Sequence, residues 1–215
     1  MRVELLSFVI VVTFSLFTVA TSWSSHSIPV SAVDFFSAVW SSALTCTMIG
    51  YSDNDGGVII KSLDGALTWT KISPQGSFPH LTDIATTLYL GKRYYLTVST
   101  DGYIIVYTAN DTDGASYSQL SKIPFVDNAF FGVTATADTA YVVGQSGSQT
   151  AVSKIYKSVA TASSIFQIWK VVSPVSVTSV TFTAVSSFDG NSAIVVGFHG
   201  TVFFTRNGGQ CHYQF

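Results

Sequence analysis

The groups that could do chemistry in this 215-residue chain are few and of one kind. Glu4 is the only glutamate, so beyond the first residues every carboxylate is an aspartate. Paired carboxylates can act as acid and base in glycoside hydrolysis. The aspartates open to such a role are Asp34, Asp53, Asp55, Asp83, Asp101, Asp111, Asp127, Asp138 and Asp189, most of them beside Gly or Asn in turn-like sequence. Turn capping or solvation explains aspartates in that setting. Asp53-Asn54-Asp55-Gly56-Gly57 alternates oxygen ligands before glycine, as a calcium loop does, but no later Glu supplies the bidentate ligand such loops need. The four histidines, at 26, 80, 199 and 212, keep no metal-ligand spacing. No phosphate-cradling glycine loop and no Ser-His-Asp context occurs. The expectation is a chain without catalytic residues, cofactor or metal.

Charged residues make up 10% of the chain, against roughly 25% in an average soluble domain. A net charge of −2 with no basic cluster argues against nucleic-acid binding. Residues 1–25 read as a signal peptide: Arg2 precedes the mostly apolar run Leu5–Ala20, and Thr18, Ala20 and Ser22 offer small residues for cleavage. The run is short of the ~20 residues a span needs, so an uncleaved anchor is the alternative. Residues 26–215 are then expected in a lumen or outside the cell, with no further span. Asn110-Asp111-Thr112 is a glycosylation sequon, and Cys46 and Cys211 could pair in an oxidising compartment.

What positions these residues is a repeat. Four times the chain runs through an alternating strand, a more continuously apolar strand, a third strand ending in Ser or Thr, a polar turn and an aromatic residue. The four third strands read as 57–62, 102–108, 152–158 and 200–205. Their terminal hydroxyl residues, Ser62, Thr108, Ser158 and Thr205, are spaced by 46, 50 and 47 residues. A period in the forties with about four short strands per unit fits a propeller blade better than a sandwich or solenoid. No 3.6-residue apolar period is sustained, so almost no helix is expected. The predicted fold is all-β, a propeller-like array of about four blades.

Ser62-Leu63-Asp64-Gly65-Ala66-Leu67-Thr68-Trp69 resembles the Asp box, or BNR repeat, S-x-D-G-G-x-T-W, with Ala66 in place of the second glycine. Thr205-Arg206-Asn207-Gly208-Gly209 fits the same frame, continuing through Cys211 and His212; Asp113–Tyr117 fits with an insertion, and the third unit has lost the Asp and Gly. The resemblance implies that Ser62, Asp64, Gly65, Thr68 and Trp69, with Thr205, Asn207, Gly208 and Gly209, are structural, Trp69 serving as a buried wedge. At the level of blades the chain looks most like the photosystem II assembly and stability factor family or the sortilin-type ectodomains. Sialidases share the box, but their chemistry uses three Arg and a Glu, and beyond the leader this chain has only Arg93 and Arg206 and no Glu.

The function this implies is a non-catalytic exported scaffold that binds protein, the alternative being a glycosidase built on paired aspartates. Propellers of this type commonly need more blades than four, so the chain reads as an unfinished ring. Compact closure, locked by Cys46–Cys211, self-association of two chains, or a longer natural sequence would each relieve the open edges.

Overall fold

A computed structural model describes residues 27–30, 32–72, 78–109, 117–146, 152–173, 177–178, 180–209 and 213–214. Residues 1–25, the sequon at Asn110, the second-unit turn through Asp113, and Cys211 and His212 lie outside them.

Four antiparallel sheets follow one another along the chain. The first holds β1 (Asp34–Trp40), β2 (Cys46–Ser52), β3 (Gly56–Ser62) and β4 (Thr70–Ile72). The second holds β5 (Leu81–Tyr89), β6 (Lys92–Ser99), β7 (Tyr103–Ala109) and β8 (Tyr117–Pro124). The third holds β9 (Asn128–Thr136), β10 (Thr139–Ser146), β11 (Val152–Val159) and β12 (Trp169–Val171), and β13 (Val177–Thr178) pairs with the start of β11. The fourth holds β14 (Phe182–Ser187), β15 (Ala193–Gly197), β16 (Val202–Thr205) and β17 (Tyr213–Gln214). A single 3-10 turn, Phe198–Gly200, occupies the place where the sequence suggests that the last third strand begins; β16 starts at Val202. Among the described residues no helix is long and apolar enough to cross a membrane.

Each sheet is one blade, and the first strands, β1, β5, β9 and β14, pack in that order. The middle strands are apolar on both faces, so burial needs a neighbour on either side. The core accordingly lies between blades. Ile49, Ile59 and Ile72 meet Leu81, Ile84 and Tyr95 between the first two. Leu96, Val98 and Ile104 meet Phe130, Val133 and Val142 between the second and third. Tyr141, Val143 and Ile155 meet Phe182, Val195 and Phe203 between the third and fourth.

A first strand is hydrogen-bonded on one side only, which leaves its other edge with unpaired backbone groups. Side chains from the preceding blade satisfy that edge. The Thr82 hydroxyl donates to the Phe130 carbonyl at 2.8 Å, and that of Thr87 to the Ala137 carbonyl at 3.2 Å. The Val133 N–H donates to Asp83 Oδ2 at 2.8 Å, while Asp83 Oδ1 accepts from the Ser37 hydroxyl at 2.7 Å and the Ile84 N–H at 2.9 Å. One carboxylate thus ties three blades together. Where β9 meets β14, side chains give way to backbone: a Cβ on Gly132 would sit 3.0 Å from the Ala184 Cα and 3.2 Å from the Val185 N.

Two substitutions test these seams by chemical denaturation. Gly132→Val is expected to destabilise the fold by about 1–3 kcal/mol through overpacking. Asp83→Ala leaves the Val133 N–H unpaired and is expected to cost about 1–3 kcal/mol.

Candidate functional site

The partners across the seams rise in number together, 82 with 130 and 87 with 137, so the first strands of neighbouring blades run in the same direction. The turns that follow them, and those that follow the third strands, therefore share one end of the array. Within a blade these two turns are joined. The Gly65 N–H donates to the Leu44 carbonyl at 2.8 Å in the first blade, and the Gly208 N–H to the Asn191 carbonyl at 2.8 Å in the fourth.

The turn from Ser62 to Trp69 is built around two side chains. The Ser62 hydroxyl donates to Asp64 Oδ1 at 2.8 Å and accepts from the Ala66 N–H at 2.9 Å. Asp64 accepts from the N–H groups of Leu67 and Thr68 at 3.0 and 2.9 Å, and from the Thr68 hydroxyl at 2.6 Å. Gly65 and Ala66 follow with φ of 76° and 71°. The Thr205–Gly209 turn repeats the plan. The Thr205 hydroxyl donates to Asn207 Oδ1 at 2.9 Å and accepts from the Gly209 N–H at 3.0 Å, and Gly208 and Gly209 have φ of 71° and 93°. Ser62, Asp64 and Thr68 therefore meet, as do Thr205, Asn207 and Gly209. Trp69 is only half-buried, so its removal should cost less than the ~3–5 kcal/mol typical of an enclosed aromatic. Trp169, opposite Ser158, occupies the same register position in the third blade, next to the fully buried Phe166.

This bonding carries electrostatic weight. The hydroxyl and N–H of Thr68, then the Ser62 hydroxyl, hold the Asp64 carboxyl down at about 2. Asp83 moves the other way: burial raises it above the ordinary carboxylate range against the pull of Ser37 and the N–H groups of Val133 and Ile84. The sequence reading counts it among the aspartates open to a catalytic pair, and it lies inside β5 beside a bulge, between blades. Its position within the strand-like run Leu81–Ala85 is the signal that marks it off from the others. Cys46 is buried, which pushes its thiol up. Among the described residues no three His, Cys, Asp or Glu stand close enough to hold a metal ion.

Apolar side chains reach solvent at the turn end, a feature the sequence reading missed, as Val126 and Phe198 do at the other end. Trp40, Leu44, Leu67, Leu88, Leu90 and Phe188 are all more than half exposed, Leu90 at 73% and Phe188 at 91%. Leu90 and Gly91 form the two-residue tip of the β5–β6 hairpin with φ of 49° and 74°. Such tips favour Asn-Gly, and a leucine in the left-handed region is strained. Leu67 is carried on the Asp64-bonded turn, whose Gly65 N–H reaches the Leu44 carbonyl.

The four sheets define a β-propeller array, and solved propellers bear that out. The fold is similar to YCF48 from Cyanidioschyzon merolae (TM-score 0.55, 14% identity, 85% of this chain and 56% of that one). It is similar to YCF48 bound to a D1 peptide (0.50, 11%, 84% and 68%) and to the WD40 repeats of RRP9 (0.57, 14%, 87% and 52%). Trypanosoma rangeli sialidase, in its covalent complex with difluorosialic acid, is a further likeness (0.54, 14%, 85% and 37%). The chain spans between about half and two thirds of the length of these YCF48 and RRP9 propellers. No protein-family model matches the sequence, and no curated protein does.

Two measurements follow. Ala66→Gly relieves a left-handed residue and is expected to stabilise the fold by about 1 kcal/mol in denaturant titration. For Asp64 the sign follows from a folded pKa below the unfolded one. Its stabilisation is complete above the unfolded pKa of 3.8 and is lost as pH falls through about 2. Asp64→Asn should therefore melt lower near neutral pH and lose less on acidification across that window than the parent chain does.

Proposed function

We propose that this chain is an exported Asp-box (BNR) propeller that works as a non-catalytic scaffold, holding an apolar segment of a partner protein against its turn end. The observation that carries this reading is the apolar crown of Leu44, Leu67, Leu88, Leu90 and Phe188, which solvent exposure makes costly. Leu90 is the sharpest case, being strained in backbone and exposed in side chain at once, where Asn would suit the turn better. A residue kept against local stability is the mark of a binding position. The Asp-box turns then serve as rigid mounts: the bonds that hold Asp64 also aim Leu67 outward. Asp83, the most enclosed carboxylate among the described residues, spends both oxygens on three donors in the seam. The neighbour YCF48 holds a D1 peptide, which gives one precedent for a peptide on a propeller, though at 11% identity the likeness extends only to fold.

The test uses a panel of fluorescently labelled apolar and amphipathic peptides. The strongest binder is expected to lose at least tenfold in affinity, about 1.4 kcal/mol, on Leu90→Asn or Leu67→Ser. Leu90→Asn should at the same time melt higher than the parent. Release of sugar from a polysaccharide panel, abolished by one Asp→Asn change, would overturn the scaffold reading.

A further inference from the structure

The same position of the third strand carries a lysine in two blades, Lys61 in the first and Lys157 in the third. Each precedes the serine, Ser62 or Ser158, that faces Cys46 or Ala140 on the second strand. Lys61 is 1% exposed and lies over the Tyr95 ring, which comes from the following blade. The first-strand bulge and the pairing with the third strand make Ala193 the counterpart of Tyr95 in the fourth blade. Ala193 offers a methyl where Tyr95 offers a phenol ring, and Lys157 is partly exposed. It turns to the Tyr141 ring of its own blade, 5.3 Å away, and to the Gly208 carbonyl at 3.5 Å.

Beside Lys157 is a cleft of about 250 Å³, lined by Lys157, Val159, Ile168, Lys170 and Val172. The fourth blade's Thr205–Gly209 turn presses against it: a side chain on Gly208 would run into Lys157 Nζ, and a Cβ on Gly209 would sit 2.9 Å from the Val172 Cβ. In that turn Asn207 stands where the first blade has Asp64, so the turn brings an amide rather than a carboxylate. Lys170 is directly opposite Lys157 in the β11–β12 register, which puts both side chains on one face. In the first blade Thr70 holds the place of Lys170. Like charges facing each other across two strands are destabilising. Among the described residues neither lysine is in an ion pair. Burial holds the Lys157 ammonium below the ordinary lysine range, against the pull of Asp138. Two cations and that one carboxylate leave a surplus positive charge at the cleft.

We infer that this cleft binds a small organic acid, its carboxylate between Lys157 and Lys170 and its apolar body against Val159, Ile168 and Val172. The charge left over suits a single anion, and lysine meets an oxyanion as a compact point charge. The rest of the wall is apolar and open to a ligand, with Val159 and Ile168 50% and 63% exposed. The volume lies below the ~300–1,000 Å³ of pockets for drug-sized ligands, so the body is small. The site shares no residue with the apolar crown and does not depend on the scaffold reading.

The experiment is calorimetric titration of the purified full chain with phenylbutyrate, its uncharged amide, acetate and inorganic phosphate. Phenylbutyrate is expected to bind with a dissociation constant below about 1 mM, at least tenfold tighter than the amide or either small anion. Lys170→Met and Ile168→Ser should each weaken it at least fivefold, while Lys122→Met in the second blade leaves it unchanged. Positions 168 and 170 are exposed, so both variants should keep the parent's circular dichroism and melting temperature. Equal binding of acid and amide overturns the inference, because the lysines then contribute nothing. Phosphate bound as tightly as phenylbutyrate overturns it too, since the apolar wall then plays no part. So does an absence of phenylbutyrate binding, or binding that Lys170→Met leaves intact.

Discussion

Everything in this array follows from sheets that are apolar on both faces. A strand pair such as Tyr94–Ser99 against Tyr103–Ala109 has no solvent side in its middle, and most of its described side chains are buried. Such a sheet cannot stand alone in water, because one neighbour covers only half of its apolar surface. Stacking blades side by side solves the problem for every sheet except the outermost two. The scarcity of charge in the composition has the same origin, since little of the blade is left for it.

The polar groups within the seams answer a second requirement, that of the first strands' open edges. Thr82, Asp83 and Thr87 come from one strand and satisfy backbone groups of the next blade's first strand. Burying Asp83 opposes its ionisation, and three donors offset part of that cost. Lysines enter the blades in a similar spirit. Lys61 lies over the Tyr95 ring, and Lys157 over that of Tyr141, reaching the Gly208 carbonyl at 3.5 Å. These contacts specify how one blade sits on the next, where apolar packing alone would allow sliding.

The turn end divides its residues between two tasks. Ser62, Asp64 and Thr68, like Thr205 and Asn207, direct their bonding inward to the turn's own backbone. Leu44, Leu67 and Leu90 are more than half exposed. Leu67 shares its turn with Ser62 and Asp64, and the Gly65–Leu44 bond ties the Leu44 turn to it, which gives this apolar surface a rigid support and limits the entropy lost when a partner binds.

Much of this was settled by sequence alone. The period of Ser62, Thr108, Ser158 and Thr205 determined the number of blades and their strands, because each blade is a local unit whose strands pair with chain neighbours. The residue order Ser-x-Asp-Gly likewise determined the Ser62–Thr68 turn, whose side-chain bonds span only a few residues. What happens between blades was not legible, since it joins residues nearly fifty apart with no local signature. Asp83 looked like one more aspartate until Ser37 and Val133 met on its carboxylate. Leu44, Leu90 and Phe188 were unremarkable leucine and phenylalanine until parallel first strands brought their turns to one end. Ile194 and Val196 belong to a continuously apolar strand, yet they are exposed in the fourth blade where Ile49, Val98 and Val143 are buried in the other three.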